Sequence, residues 1–309
     1  MAGFLIHPVM MWDEILNEKE LLISMKKIFL ITFALILTGC GSFGGSIPLA
    51  EDNGLPPSPT ATALPVFTPT PVPSGPCDNP LVPLGANHQW QYRVIDDLNQ
   101  SIFNLKVLGR RDAANIVTMV EFTDVRQATS LQEPVVCLEG AIEDFPLFME
   151  SMLFSGYLSK VLDTYQDKGV YAPAHRELEA SQWVMDWKAD YLIEESVFLK
   201  NPMGGSDLSI LESTPVDISF QSTGIREPVS VPAGEFPQAL KVLHEFALFV
   251  SLTIQGGATT GTLRVKVNQW YEPYIGLVKA EIESVALDMG LVDMPVPFES
   301  RLELEIFTP

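Results

Sequence analysis

Leu240-Lys241-Val242-Leu243-His244-Glu245-Phe246-Ala247-Leu248-Phe249-Val250-Ser251-Leu252-Thr253-Ile254 is the longest unbroken alternation in the chain, and it announces a β architecture. Its even positions are apolar apart from His244. The odd positions carry Lys241, Glu245, Ser251 and Thr253, together with Leu243 and Phe249. A period of two puts one set of side chains on each face of a strand, whereas a helix would repeat at 3.6. Pro232-Ala233-Gly234 precedes the stretch and Gln255-Gly256-Gly257 follows it, both with turn chemistry. Beyond lie three more alternating runs: Leu263, Val265 and Val267; Val278, Ala280 and Ile282; and Leu302, Leu304 and Ile306. Pro273-Tyr274-Ile275-Gly276 turns the chain between the first two. The C-terminal third therefore reads as an antiparallel meander with one apolar and one polar face. The apolar face must be covered by a second layer.

The same pattern extends toward the N-terminus. Trp90, Tyr92 and Val94 alternate with Gln89, Gln91 and Arg93, and Phe103, Leu105 and Val107 repeat it. Ile116 to Val125 is rich in β-branched residues, Val135 to Leu138 is a short strand carrying Cys137, and Val216, Ile218 and Phe220 form another. Trp183, Met185, Trp187 and Tyr191 fit either period, with Val184 and Asp186 favouring the strand. Asp144-Phe145-Pro146 reads as a helix start, Asp as N-cap and Pro in the first turn. The expected helix reaches about Leu162, and Gly169 reads as its stop. It holds more apolar residues than one face needs. Phe148, Met152, Phe154 and Leu158 could form a lid over an apolar groove, or plain core that plugs the concave face.

Residues 46–76 contain nine prolines among Ser, Thr, Ala and Gly. Proline lacks the N–H that a helix or central strand requires, so an extended spacer is expected between residue 40 and the domain at 77–309. Before it, Lys26 and Lys27 precede Ile28 to Leu37, whose single polar residue is Thr32. That run is too short to span a bilayer and fits the apolar region of a signal sequence, residues 25–39. It ends Leu37-Thr38-Gly39-Cys40, which resembles a bacterial lipobox. The resemblance implies cleavage before Cys40, a diacylglyceryl thioether on its sulfur, and anchoring to a membrane from the extracytoplasmic side. An ordinary signal peptide with an incidental cysteine is the alternative. Residues 1–24 carry Asp13, Glu14, Glu18 and Glu20, opposite in sign to an export signal. The simplest reading starts translation at Met25. An amphipathic cytoplasmic extension is the other.

With Cys40 lipidated, Cys77 and Cys137 remain in an oxidising compartment, where pairing is expected. Two buried free thiols are the alternative. Subtracting the three basic and four acidic residues that precede Cys40 leaves 16 basic and 35 acidic side chains, net −19. Such a surface disfavours nucleic acid and an electrostatic grip on anionic headgroups.

Two segments carry a resemblance to bacterial lipoproteins: Val231-Pro232-Ala233-Gly234-Glu235-Phe236 with Ala239-Leu240-Lys241-Val242, and Trp270-Tyr271-Glu272-Pro273-Tyr274-Ile275-Gly276-Leu277-Val278-Lys279. Asn79-Pro80-Leu81-Val82-Pro83-Leu84-Gly85 with Trp90-Gln91-Tyr92 adds to it. The family resembles the LolA/LolB lipoprotein carriers in shape. It implies a mainly β domain, one long antiparallel sheet curled into a half-barrel with one or two covering helices. Its motifs carry no catalytic residues.

Chemistry-bearing patterns are sparse. His88, His175 and His244 are widely separated and form no metal-ligand spacing, so no metal and no cofactor are expected. Gly204-Gly205-Ser206-Asp207-Leu208 lacks the last glycine of a hydrolase elbow. Asp96-Asp97 and Glu143-Asp144 fit turn and capping roles. The expectation is a non-enzymatic lipoprotein with a binding or structural role in the cell envelope, an envelope protein being one candidate partner. A carrier or sensor of a lipophilic ligand is the alternative, and a hydrolase a third.

Overall fold

The computed structural model describes Cys77 and residues 79–309 with interruptions at 97–99, 111–116, 126–127, 146–151, 155–164, 194–196, 200–207, 211–213, 255–256 and 291–292. Alternation in the sequence becomes strands almost wherever it occurs. β1 (Gln89–Asp96), β2 (Gln100–Arg110), β3 (Val117–Asp124), β4 (Thr129–Leu138) and β5 (Ala141–Asp144) form a run of antiparallel neighbours. β6 (Tyr165–Gly169) follows, then the short helix α1 (His175–Ala180) and β7 (Val184–Ile193). β8 (Val197–Leu199) and β9 (Leu208–Ile210) are short side strands. The meander comprises β10 (Thr214–Val231), β11 (Gly234–Ile254), β12 (Gly257–Glu272) and β13 (Gly276–Asp288). β14 (Asp293–Pro295) and β15 (Ser300–Thr308) close the chain.

Among the described residues all of these belong to one antiparallel sheet, in the order β5-β4-β3-β2-β1-β15-β13-β12-β11-β10-β7-β6. The C-terminal strand β15 inserts between β1 and β13, so the two ends of the domain are neighbours in the wall. Twist curls the sheet, and its edges meet. Just beyond β6, Ala172 bridges Ile142 of β5. The Ile142 and Tyr171 amides donate across the seam, each at 2.8 Å. The curvature thus runs past a half-barrel to a nearly closed barrel, which leaves few unpaired edges.

A buried asparagine holds the seam. Asn79 is 1% exposed. Its Nδ2 donates to the carbonyls of Gly140 (2.9 Å), Pro173 (2.8 Å) and Ala172 (3.4 Å). Its Oδ1 accepts from the Leu81 and Val82 amides at 2.9 and 3.1 Å. Cys77, two residues earlier, is bonded to Cys137 of β4, with a Cα–Cα distance of 5.1 Å. The segment before β1 therefore lies across the closure and fastens both sides.

The structure departs from the sequence reading at four places. Leu302 and Leu304 are buried, but Ile306 is 54% exposed and Phe307 is buried in its place. The β1–β15 register passes from Gln91↔Ile306 to Tyr92↔Leu304, so Glu305 is an extra residue that flips the faces. Gly169 ends a strand, not a helix. Its φ is +105°, and a Cβ there would lie 3.1 Å from the Lys188 carbonyl oxygen. Asp144 is the last residue of β5; of the helix expected from it, Met152 and Leu153 are described as helical and the rest falls outside the described residues. Pro134 stands inside β4, opposite Met119 of β3, so that strand is longer than expected. β5 covers Val136 to Leu138, leaving Pro134 an open flank where a missing N–H costs no ladder bond.

Candidate functional site

Among the described residues, a column of packed rings runs through the barrel interior. Phe145 stacks on Tyr171 (centroids 4.6 Å apart), which meets Phe220 edge-on at 5.5 Å. Phe220 lies between Trp187 (5.2 Å) and His244 (4.7 Å). His244 leads to Phe246 at 5.4 Å, Phe246 to Phe154 at 6.0 Å, and Phe154 stacks on Phe298 at 5.0 Å. Such ring pairs add specific geometry to a large apolar burial. The void beside Trp90, Tyr92 and Tyr271 measures about 30 Å³, room for a water and not for a ligand.

Polar groups inside this column are tied to one another. Tyr271 donates its hydroxyl to Gln269 Oε1 at 3.0 Å, and Gln269 Nε2 lies 3.1 Å from His244 Nδ1. With the Gln269 amide donating, His244 carries its proton on Nε2. Burial drives the His244 pKa down to about 3, so the ring is neutral at any ordinary pH. Tyr92 donates to the Leu277 carbonyl at 3.1 Å, and burial, then Tyr271, push its pKa well upward.

An opening lies where the wall divides. β13 pairs with β15 from Lys279↔Glu303 to Glu281↔Arg301, and with β14 from Ala286↔Pro295. Between these ladders the chain from Val296 to Glu299 leaves the sheet. Pro295 and Pro297 flank Val296 and cannot donate to a ladder, and the Val296 amide makes one bond, to the Val285 carbonyl at 2.8 Å. The result is a cleft of about 750 Å³, within the size range of ligand sites. Ile282, Val296 and Phe298 supply apolar wall, and Asp96, Glu281, Glu283, Glu299 and Arg301 supply charge. Glu281 is engaged by Lys279 Nζ at 2.6 Å, and Arg301 Nε by Glu303 at 3.3 Å. Phe298 lines the cleft and stacks on Phe154, so the ring column ends at the cleft wall.

The residues singled out in sequence fall as follows. Met152 and Phe154 are 1% and 8% exposed, packed as core, with Phe154 backing the cleft. Phe148 and Leu158 lie outside the described residues, as do Cys40 and Ser206. His88 sits 3.0 Å from the Pro83 carbonyl oxygen, and His175 pairs with Glu179 at 2.9 Å. The histidines therefore occupy three separate settings. Among the described residues no group of three His, Cys, Asp or Glu side chains converges on a metal-sized site, and no helix is long and apolar enough to cross a membrane. Sequence reasoning missed the cleft. Its signals were Pro295-Val296-Pro297, which stops a strand, and the flanking carboxylates.

Fold and cleft together define a class: a mainly β, nearly closed antiparallel barrel with a column of aromatic rings inside and an open acidic cleft in its wall. No family model and no curated protein matches the chain. Among solved structures, it is similar to a Bacteroides fragilis protein inferred to be exported and described as having a YmcC-like fold. The TM-score is 0.42 and the identity 15%, over 73% of this chain and 97% of that one. It is also similar to an inferred lipoprotein of Parabacteroides distasonis, TM-score 0.42 and identity 16%, over 74% of this chain and 98% of that one. At that distance neither carries its properties over.

Proposed function

We propose that this chain is an exported lipoprotein, held to a membrane through Cys40, whose β domain binds a component of the cell envelope without catalysing a reaction. The observation that carries the binding role is the cleft of about 750 Å³ in the barrel wall. The anchoring rests on Leu37-Thr38-Gly39-Cys40 after its apolar run, and the long proline-rich spacer would lift the domain from the membrane surface. The non-enzymatic reading is supported by three histidines in unrelated settings, one of them buried and neutral.

A second reading, a carrier or sensor of a lipophilic ligand, is favoured by Phe154. Phe298 lines the cleft and leads through Phe154 to Phe246 and the apolar interior. The LolA/LolB-like role belongs with this reading.

Full-length protein extracted in mild uncharged detergent, then examined by native mass spectrometry, tests both. A bound species that disappears in Ile282→Trp/Val296→Trp, which fills the cleft, supports the binding role. The same bound mass with the cleft filled would refute it there. A co-purifying lipid would select the carrier. Radiolabelled palmitate should enter the wild type and not Cys40→Ser; equal labelling would remove the anchor.

A further inference from the structure

The outer face of the barrel changes character along three neighbouring strands. Over most of their length β2, β3 and β4 turn Asn104, Lys106, Glu121, Thr123 and Gln132 outward, and Gln132 Nε2 donates to Glu121 at 3.0 Å. Toward the end where the seam closes, the outward residues become apolar. Leu108, the extra residue where the β2–β3 register shifts, is 41% exposed. Met119 and Val117 of β3 lie directly opposite Pro134 and Val136 of β4, all four half-buried. Leu138, two residues on, is 47% exposed. Opposed residues on one face sit about 5 Å apart, so these six side chains form one apolar patch. Contiguous exposed apolar surface marks a place where something docks.

The patch surrounds the point where the chain enters the domain. Cys137 stands between Val136 and Leu138 with its side chain buried on the inward face, bonded there to Cys77. The chain before Cys77 lies outside the described residues, and its sequence supplies an occupant. Phe67 is the one aromatic residue of the spacer at 46–76, and it ends the run Leu64-Pro65-Val66-Phe67. It stands ten residues before Cys77. At ~3.1 Å per residue that stretch spans up to about 30 Å. Three strands at ~4.8 Å and five residues of β4 at ~3.4 Å make a patch of about 10 by 14 Å. Ser74-Gly75 gives the chain a place to double back over the rim.

We propose that residues 64–72 of the spacer dock on this patch, with Val66 and Phe67 against Met119, Val136 and Leu138. A proline-rich segment is already extended, so little freedom is lost when it lies on an apolar surface. The short link to Cys77 holds it at an effective concentration in the millimolar range, so a contact too weak to hold a separate partner suffices. The docked segment fixes the direction in which the spacer leaves the barrel. β1 and β15 run from this end, where Gln89 pairs with Thr308, to the cleft, where Asp96 pairs with Ser300. The cleft is thereby kept facing away from the spacer. The proposal needs neither lipid on Cys40 nor a ligand in the cleft.

Photocrosslinking in the full-length chain, held in uncharged detergent, tests this. p-Benzoylphenylalanine at position 67 should join, within one chain, to the peptides that carry Met119 or Val136 and Leu138. The same probe at position 55, outside the docked segment, should give about fivefold less of that product. Leu108→Asp/Leu138→Asp should cut the position-67 product about fivefold. Val184→Asp/Ile225→Asp, at exposed apolar residues of β7 and β10, should leave it unchanged. A second measurement keeps the domain's own residues intact: Val66→Ser/Phe67→Ser should make Met119 oxidise in peroxide about threefold faster relative to Met294. Crosslinks scattered over the domain, a product joining two chains at the patch, or a product indifferent to Leu108→Asp/Leu138→Asp overturn the proposal. An unchanged Met119 rate in the spacer variant overturns it too, and that result does not depend on how a patch variant folds.

Discussion

Replacing Asn79 should loosen the barrel at its seam. Its amide makes four hydrogen bonds of 2.8–3.1 Å and one of 3.4 Å, all to backbone groups of the closure. Each good bond contributes a net ~1 kcal/mol, and water can reclaim part of the Gly140 carbonyl, which is half-buried. Asn79→Ala should therefore cost about 3 kcal/mol. For a domain of this size that is about 6–12 °C in Tm. Urea unfolding followed by tryptophan fluorescence, with an unchanged m-value, is the assay. Asn79→Asp sharpens it. The introduced carboxylate keeps the acceptor for Leu81 and Val82 but faces three carbonyl oxygens where the NH₂ donated. Its folded pKa must rise above the unfolded value of about 3.9. A raised folded pKa gives stability that is complete below the unfolded pKa and lost as pH rises through the folded one. Asn79→Asp should accordingly approach the wild type near pH 4 and fall furthest behind at pH 8. A loss under 1 kcal/mol for Asn79→Ala, or a pH trend of opposite sign, would refute the seam argument.

The bulge at Glu305 predicts that Ile306→Ser costs less than about 0.5 kcal/mol while Phe307→Ala costs about 3–4 kcal/mol, measured by the same urea titration. His244 is held near pKa 3, far below its usual 6.5. Its neutral form stabilises the fold fully above pH 6.5 and progressively less as pH falls, at up to ~1.4 kcal/mol per unit. His244→Gln should flatten the wild-type decline between pH 6.5 and 5. Glu133 and Glu272, raised by burial, contribute with the opposite sign in the same direction of titration, so the comparison is made between variants at each pH. Removing the Cys77–Cys137 link, which closes a 60-residue separation, should cost about 2–5 kcal/mol as Cys77→Ser/Cys137→Ser. Peptide mapping without reductant should recover the two cysteines joined.

The fold class was legible in local alternation alone. Period-two alternation is local, so Leu240 to Ile254, Trp90 to Val94 and Phe103 to Val107 announced their strands and most of their buried faces. The turns at Pro232-Ala233-Gly234 and Pro273 to Gly276 carried their own backbone chemistry. Cysteine usage and the apolar run before Cys40 set the expectations about compartment and pairing. What alternation cannot encode is which strands become neighbours, because pairing depends on distant chain. Long-range packing placed β15 between β1 and β13, brought Ile142 to Ala172, and turned Phe307 inward in place of Ile306 through one extra residue of β15 against β1. The cleft arose the same way. Asp96, Ile282, Phe298 and Ser300 come from three strands and a loop, and no spacing along the chain marks them as one site. It exists because two prolines stop a ladder beside the place where the first and last strands of the chain, β1 and β15, pair.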